Sequence, residues 1–438
     1  MALVRLETTG EISDKGNDIL DFLKQRIVGQ DRAIEALMAA LDIHNAGLME
    51  PERPVGNFLL LGPSGVGKSY LPEKLAEAVL CSPKAYTKIR CQEYSEGHAI
   101  SRLMGAPPGY VGFLDPDRNS AKEIATCAYP LLSQYNIDKH DYLLKKDIAD
   151  SQTETECQKL EQERKELYKV VSDLKKKKKT KTAKYQKAND QLKGLVGAIL
   201  RLKKESKSWS AFESLGPYVS VVNFDEIERS SRRLHNAIMD IFDSGVLGLT
   251  DGRETYFYNS IIFATSNVGS KEIAQKLRGQ GFGFQRVDFA DWDDNDKQAD
   301  AALVDSLTEA ARKKFPPEFL NRFDEMIVFR PLSRQRLLEV LVKEIGYLKE
   351  CLANRQIKID LVVDQPVQNF IVQEATTNIE YGARYLKRTL NKLITQTLSA
   401  LINDEKVLGG DKIFVVLEAG KIVFYKDGGS TMTTTDVK

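Results

Sequence analysis

The sequence predicts an α/β protein with a doubly wound parallel sheet. Three short apolar runs, at residues 57–61, 219–224 and 260–264, have the length and composition of fully buried strands. Helical patterns lie between and after these runs, and strands that alternate with helices are typical of a parallel sheet covered on both faces. At 438 residues the chain has room for two or three domains.

Helical periodicity is visible towards both ends of the chain. Charged and apolar residues alternate at helical spacing over residues 11–24, and a second helix is predicted from Asp31, a residue type that favours N-caps. Towards the other end two helical segments follow one another, the second around residues 383–401. Apolar runs at 412–417 and 421–425 then predict two short strands.

The composition is that of a soluble globular protein, with 42% apolar and 29% charged residues. The 63 basic and 62 acidic residues nearly cancel, so the chain carries no overall basic field for nucleic acid. The N-terminus lacks a signal-peptide core, and no stretch approaches the roughly 20 apolar residues of a membrane span. The five cysteines form no C-x-x-C pair, which favours reduced thiols. We therefore expect a cytoplasmic protein that binds no membrane.

A phosphate-binding loop follows the first predicted strand and precedes a helix. It fits the pattern G-x-x-x-x-G-K-[ST] in full, as Gly62, Pro63, Ser64, Gly65, Val66, Gly67, Lys68 and Ser69. The glycines let backbone N–H groups fold around phosphate oxygens, Lys68 would reach the β and γ phosphates, and Ser69 would ligate Mg²⁺. The helix that starts there turns its positive end towards the anion. We therefore predict nucleotide binding and not merely a tight glycine turn.

Two carboxylates end the second predicted strand. At that position Asp225 can hold a hydrated Mg²⁺ and Glu226 can polarise the attacking water. Such a pair is often only a solvated strand end, but after a phosphate loop we interpret it as catalytic. Phosphoryl transfer usually needs a further cation, and the candidates are Arg322 and Arg384. Spacing alone leaves both as ordinary surface arginines.

Seven segments resemble, in order, motifs of the Clp-family AAA+ ATPases, and most of all the second ATPase module of ClpB and ClpC. The segments are residues 26–31, 101–112, 225–228, 249–253, 265–267, 319–322 and 382–384. The resemblance covers about residues 20–115 and 217–425. It implies ATP as substrate, Mg²⁺ as cofactor, and a protein unfoldase or remodelling chaperone. Such a protein threads polypeptide through the pore of a hexameric ring.

The resemblance also assigns roles to single residues. It implies that Ile27 and Val28 contact the adenine base and that Asn267, in the sensor 1 segment, positions the attacking water. Arg322 matches the arginine finger that is given to the ATP of a neighbouring subunit. Arg384 matches sensor 2 on the C-terminal lid.

The substrate-gripping pore loop of the family is matched by Gly109, Tyr110, Val111 and Gly112. An aromatic ring between glycines sits on a flexible loop and can press on any extended chain without reading its sequence. A plain surface turn is the alternative. Residues 249–253 match the second pore-side loop.

These segments divide the chain. We predict an AAA+ large ATPase domain from residues 1–115 and 217–331, and a helical insertion at 116–216. A mostly helical lid with a small β-element follows at 332–427, and then a disordered tail at 428–438.

The insertion is the largest departure from the family. Residues 151–208 hold 17 Lys and Arg against 8 Asp and Glu, and apolar residues recur at heptad spacing over 160–174 and 185–202. A lysine-rich turn separates the two runs, which predicts an antiparallel helical hairpin over a single long helix or disorder. From its position next to the pore loop we hypothesise that it recruits or gates a protein substrate or an adaptor.

Other departures leave functions open. Asn223 replaces an expected apolar residue of the strand before Asp225, and residues 229–232 differ from the family pattern. Residues 281–284 form either a docking loop for a ClpP-like peptidase or an ordinary loop. The unfoldase is therefore the first of three functional hypotheses. The second is a motor associated with nucleic acid, for which the lysine run 175–179 would contact phosphate groups. The third is a nucleotide-gated scaffold that assembles but threads nothing.

Overall fold

The computed structural model describes most of the chain outside the predicted insertion. The described residues are 14–80, 82–96, 99–105, 130–134, 136–138, 219–270, 297–354, 358–376, 382–427 and 430–435, with isolated positions between 159 and 195. The predicted pore-loop residues Gly109–Gly112, most of the predicted hairpin and the segment 281–284 lie outside them. None of the helices in the described ranges combines the length and apolar character that a bilayer span requires.

A five-stranded parallel sheet forms the centre of the N-terminal part, in the order β2-β3-β6-β1-β7. A small antiparallel hairpin of β4 and β5 lies beside it. The strands are β1 (Gly56–Leu61), β2 (Thr87–Arg90), β3 (Ser220–Asp225), β4 (Val246–Gly248), β5 (Glu254–Tyr256), β6 (Ser260–Ser266) and β7 (Glu325–Val328). The predicted fold class and the three predicted central strands are confirmed.

Helices cover both faces of this sheet. They are α1 (Asp14–Arg26), α2 (Asp31–Asn45), α3 (Tyr70–Leu80), α4 (Ser101–Met104), α5 (Arg232–Ser244), α6 (Lys297–Lys314) and α7 (Pro317–Leu320). All six residues of β1 are buried, because Phe58 and Leu60 pack towards α1–α3 while Leu59 and Leu61 pack towards α5. A continuous apolar run is what a strand covered on both faces requires.

The C-terminal part has a core of its own. It contains α8 (Arg334–Asn354), α9 (Gln365–Thr376), α10 (Gly382–Leu390), a π-helical turn (Asn391–Thr395) and α11 (Gln396–Asn403). Its sheet has the order β11-β10-β9-β8 and is made of β8 (Asp360–Val363), β9 (Lys412–Glu418), β10 (Lys421–Lys426) and β11 (Ser430–Thr435). The predicted helices and the two predicted strands, β9 and β10, are confirmed.

Part of the tail predicted to be disordered, residues 428–438, forms a strand. Ser430–Thr435 is strand β11, which pairs antiparallel with β10 from Lys426↔Ser430 to Ile422↔Thr435. The Ser and Thr content suggested disorder, but β-branched threonines favour extended backbone. The neighbouring edge of β10 supplies the pairing that the segment could not find alone.

Residues 130–138 fall within the insertion that was predicted from residue 116. Within residues 130–138, Leu132 and Ile137 are buried in the same core as α5 and β3. The side chain of Gln134 accepts a hydrogen bond from the backbone N–H of Tyr256 at 2.6 Å and donates one to its carbonyl at 3.3 Å. This segment is therefore part of the ATPase-domain packing, which no local sequence signal indicated.

Asn223 is completely buried in β3, the strand where the sequence led us to expect an apolar residue. In register it lies between Lys88 of β2 and Phe263 of β6. Neither its amide nitrogen nor its amide oxygen has a hydrogen-bond partner among the described residues. Burying an unpaired amide costs about 1–3 kcal/mol in protein mutational data.

We predict that Asn223→Leu raises the free energy of unfolding of the nucleotide-free protein by about 1–3 kcal/mol. Leucine has the same number of side-chain heavy atoms and the same branching, but it has no polar group to desolvate. Urea unfolding followed by circular dichroism measures the change, and Asn223→Asp, which buries a charge, should do the opposite. An unchanged or lower stability of Asn223→Leu would show that the amide is paired in solution.

Candidate functional site

The phosphate loop joins the end of β1 to the start of α3. Gly62 has φ +149°, and a Cβ there would lie 2.6 Å from the carbonyl oxygen of Phe329, so only glycine fits. Gly67 has φ +106°, a conformation that side chains with a Cβ rarely adopt. The glycines of the motif are thus explained by the backbone path.

Lys68 is buried beneath this loop, with 6% of the residue exposed. Its Nζ donates hydrogen bonds to the carbonyls of Gly62 (2.7 Å) and Pro63 (2.6 Å) and to Oδ1 of Asn267 (2.9 Å). Burial lowers the pKa of Lys68 to about 8, against the opposite effect of three nearby carboxylates. Hydrogen bonds therefore hold the ammonium group in place, but its positive charge is only partly balanced by nearby carboxylates. This suits the group to bind an anion.

Asp225 is the best-bonded carboxylate of the site. Its Oδ1 accepts hydrogen bonds from Ser69 Oγ and Thr265 Oγ1, both at 2.7 Å, and its Oδ2 lies 2.9 Å from Nζ of Lys88. Burial raises the pKa of Asp225, but these three partners outweigh burial and hold the pKa below its ordinary value. The carboxylate is therefore ionised near neutral pH. A hydroxyl and a carboxylate oxygen in contact are the ligands that Mg²⁺ takes in nucleotide sites, so the residues fit this ion.

Glu226 adopts the left-handed conformation, at φ 58° and ψ 53°. This backbone costs energy in a residue other than glycine, and such strain is common at active sites. The side chain is held at both oxygens, with Oε1 accepting from Asn267 Nδ2 at 3.2 Å and Oε2 lying 3.0 Å from Nε of Arg229. Its backbone N–H donates to Thr265 Oγ1 at 3.1 Å. The carboxylate is thus aimed at Asn267.

Asn267 connects the two halves of the site. One amide atom accepts from Lys68 and the other donates to Glu226, while its backbone N–H donates to Oε1 of Glu228 at 3.2 Å. It follows the end of β6, which lies between β1 and β3. Three parallel strands therefore deliver the lysine, the carboxylates and the amide to one edge of the sheet.

These residues line a cavity of about 1130 Å³ that the C-terminal part closes from the other side. Ile27 and Val28 lie in its wall, together with apolar Leu332 and Val340. Arg384 of α10 also lines it and is close enough to lower the pKa of Lys68. The structure thus brings Ile27, Val28, the phosphate loop, Asp225, Glu226, Asn267 and Arg384 together.

The start of α10 touches the phosphate loop directly. The backbone N–H of Ala383 donates to the carbonyl of Gly65 at 3.0 Å, and a Cβ on Gly382 would lie 2.9 Å from the same oxygen. No side chain fits between the loop and the start of α10 at this point.

Arg322 is not among the residues that line this cavity. Its Nε lies 2.8 Å from Oδ1 of Asp243, and both side chains are 43% exposed. The role of Arg322 as an arginine finger for the ATP of a neighbouring subunit stays a prediction. The roles of the pore-loop residues Gly109–Gly112, which lie outside the described ranges, also stay predictions.

Sequence reasoning missed Thr265, Lys88 and Arg229. Thr265 and Lys88 hold Asp225, and Arg229 holds Glu226. Thr265 is the first residue of the predicted sensor 1 segment, 265–267, but its bond to Asp225 was not predicted. Lys88 had no local signal, because strand β2 was not predicted.

Comparison with known proteins identifies the family. The model of the AAA domain (Cdc48 subfamily) matches residues 53–116 and 146–326, which is more than half of the chain. The chain belongs to the AAA ATPase family. The model of the C-terminal, D2-small domain of ClpB matches residues 332–415, so the predicted relation to the second Clp module is confirmed.

Two curated relatives match almost all of this AAA ATPase. The ATP-dependent Clp protease ATP-binding subunit ClpC of Staphylococcus aureus (strain USA300) is 30% identical over 403 residues, 92% of this chain and 37% of ClpC. Chaperone protein ClpB 1 of Synechocystis sp. is 28% identical over 405 residues, 92% of this chain and 33% of ClpB. The chain spans about a third of the length of these relatives.

A solved structure shares the fold. The cryo-EM reconstruction of Hsp104 in its closed state, with ATPγS and FITC casein, has a TM-score of 0.59 and 21% identity. The similarity covers 95% of this chain and 53% of the Hsp104 chain.

We predict that Lys68→Met stabilises the nucleotide-free protein at pH 7 by roughly 1–3 kcal/mol. The pKa of Lys68, about 8, lies below its ordinary 10.5, so folding disfavours the protonated form and the penalty is complete below pH 8. Between these values the unfolded chain binds more protons. The stability of the unsubstituted chain should therefore rise with pH towards that of the variant.

Denaturant unfolding of both proteins at neutral pH and near pH 10 measures this difference. Lys74→Met, on the helix α3 that follows the phosphate loop, is the matched control. Burial lowers the pKa of Lys74, but its bonds with Glu77 and other neighbours outweigh burial and raise it, so removing this lysine should not stabilise. A stability gap for Lys68→Met that stays constant with pH would contradict the prediction.

Proposed function

We propose that this chain is an ATP-driven protein unfoldase or remodelling chaperone. Its subunits form a hexameric ring, hydrolyse ATP at the subunit interfaces and thread polypeptide through the central pore. One observation carries the proposal: Lys68, Asp225, Glu226 and Asn267 converge at the carboxyl edge of a parallel sheet, inside a cavity of nucleotide size.

Different residues of the cavity bind the phosphates, the metal ion and the base of ATP. Lys68 exchanges its bonds with the carbonyls of Gly62 and Pro63 for the phosphate oxygens, which restores a full charge partner to the buried ammonium. Ser69 and Asp225 would hold Mg²⁺, and when bound this ion neutralises charge on the phosphate oxygens. Ile27 and Val28 offer the base an apolar wall.

Glu226 and Asn267 act on the water. Glu226 polarises the attacking water and accepts its proton, for which its carboxylate has to loosen from one of its present partners, Asn267 or Arg229. The Asn267 amide, which also bonds the Lys68 ammonium, orients the same water. Glu226 directly follows β3 and Asn267 directly follows β6, so the pairing of these two strands sets the distance between the two side chains.

Two arginines complete the site from different directions. Arg384 belongs to the same chain and lines the cavity. Arg322 is exposed and lies outside it, which supports a role for the next subunit of a ring. In a head-to-tail ring, each hydrolysis site then lies at the interface between two neighbouring subunits.

The relatives support a protein as the object of this activity. ClpC is named an ATP-binding subunit of the Clp protease, and ClpB is named a chaperone. We propose that Tyr110 of the pore loop presses on the polypeptide and that the insertion receives the substrate or an adaptor. Docking of a ClpP-like peptidase stays a prediction on residues 281–284.

Complementation between dead subunits tests the shared active site. Glu226→Gln and Arg322→Ala should each abolish ATP turnover, whereas mixing the two should restore part of it. A Glu226→Gln subunit still lends its arginine to the intact pocket of an Arg322→Ala neighbour. In a randomly mixed ring about a quarter of the interfaces have this order.

Steady-state phosphate release from the mixtures measures the recovery, with exposed Arg312→Ala as the control that should stay fully active. No recovery on mixing, or full turnover by Arg322→Ala alone, would contradict the shared site.

The pore role of Tyr110 separates a threading machine from a nucleotide-gated scaffold. Tyr110→Ala should keep basal ATP turnover within about twofold but lose the unfolding of a labelled model substrate such as fluorescent casein. Tyr110→Phe keeps the ring and should keep the unfolding activity. If Tyr110→Ala unfolds the substrate as well as the unsubstituted chain, the threading proposal is wrong.

A further inference from the structure

The backbone around Arg322 is fixed on both sides. Before it, α7 ends with Phe319 and Leu320 buried in the core. After it, the backbone N–H of Asp324 donates to the carbonyl of Asn57 at 2.9 Å, and Asp324 Oδ2 accepts from the Asn57 N–H at 2.8 Å. The backbone that carries Arg322 is therefore held on both sides.

Aromatic contacts hold the end of α5 against this segment. The rings of Phe242 and Phe323 lie 5.0 Å apart, edge to face, and those of Phe319 and Phe323 lie 5.2 Å apart in the same manner. His235, one to two turns earlier on α5, stacks on Phe319 at 4.7 Å. Each such pair adds about 0.5–1.5 kcal/mol beyond its buried area. The residue that follows Phe242 is therefore placed beside the residue that precedes Phe323.

The residue after Phe242 is Asp243, and the residue before Phe323 is Arg322. Asp243 Oδ1 lies 2.8 Å from Nε of Arg322. Binding through Nε leaves the two terminal nitrogens of the guanidinium for another partner, and a planar fork of this kind suits phosphate oxygens. Among the described residues Arg322 has no other ion pair.

The pair contributes little to stability. Both side chains are 43% exposed, and exposed ion pairs contribute only about 0–1 kcal/mol. Asp243 also stands in the last turn of α5, where the negative end of the helix dipole disfavours a carboxylate by about 0.3–1 kcal/mol. The stability of the helix therefore does not explain why an acidic residue stands at position 243.

We propose that Asp243 is a positioning residue that presents Arg322 to the nucleotide of the neighbouring subunit. This inference rests on the proposed function of Arg322. Without the Nε anchor the long side chain has to be ordered anew in every catalytic cycle. The loss expected from ordering one such side chain is a fall in kcat of about three- to tenfold.

The test compares steady-state ATP turnover and thermal unfolding of Asp243→Asn with those of the unsubstituted chain. We expect a lower kcat, an unchanged KM for ATP, because the variant's own pocket is intact, and a melting temperature that is equal or higher. Asp243→Glu should recover part of the kcat. Asp240→Asn, which removes another exposed acid of α5, should leave kcat and KM unchanged.

Mixing identifies the subunit on which Asp243 acts. Asp243→Asn subunits mixed with Glu226→Gln subunits should gain turnover per active pocket, because some of their pockets then receive a well-held arginine. Mixing with Arg322→Ala subunits should give no such gain. A defect of folding would not distinguish the two partners.

Two outcomes overturn the inference separately from the proposed function. If Arg322→Ala abolishes turnover while Asp243→Asn keeps the full kcat, Asp243 does not position the arginine. A lowered melting temperature, with no gain on mixing, would also reject the positioning role in favour of a structural one. If Arg322→Ala itself keeps full turnover, the proposed function fails, and this inference fails with it.

Discussion

The parallel register of β3, β6 and β1 is the constraint on which the site depends. Leu61 pairs with Ser266 and Phe224 with Ala264, so the three strands end together. The loop after β1 carries Lys68, Glu226 follows β3 and Asn267 follows β6, and hydrogen bonds join Asn267 to both of the others. A slip of one residue in any of these pairings would turn the side chains to the other face and separate the charges. The apolar strand interiors therefore determine the geometry of the polar edge.

The N-terminal and C-terminal parts of the chain meet at this edge. The contact of Ala383 with Gly65 joins the C-terminal part to the phosphate loop through backbone atoms alone. The start of α10 and the phosphate loop are therefore in direct contact. Arg322, by contrast, is not in the lining of the cavity and pairs with Asp243 of α5. In the proposed ring, each subunit would have one arginine for its own nucleotide and another for its neighbour's.

Much of this site was predictable because its parts carry local signatures. The phosphate loop and the pair of Asp225 and Glu226 each follow a buried apolar run, and a resemblance gave Asn267 and Arg384. The missing parts depend on tertiary context. Lys88 lies on the edge strand β2, whose alternating pattern is short, and Asp243 is recognisable only beside Arg322. Strand β11 was mistaken for disorder because its threonines need a neighbouring strand to pair with.

The most direct test of the account is a cryo-EM structure of the assembled Glu226→Gln protein with ATP and Mg²⁺. The account predicts a ring in which the γ-phosphate lies between Lys68 of one subunit and Arg322 of the next, with Asp243 still on Nε. It would be contradicted by a nucleotide that is completely enclosed by one chain, with Arg322 far from every phosphate group.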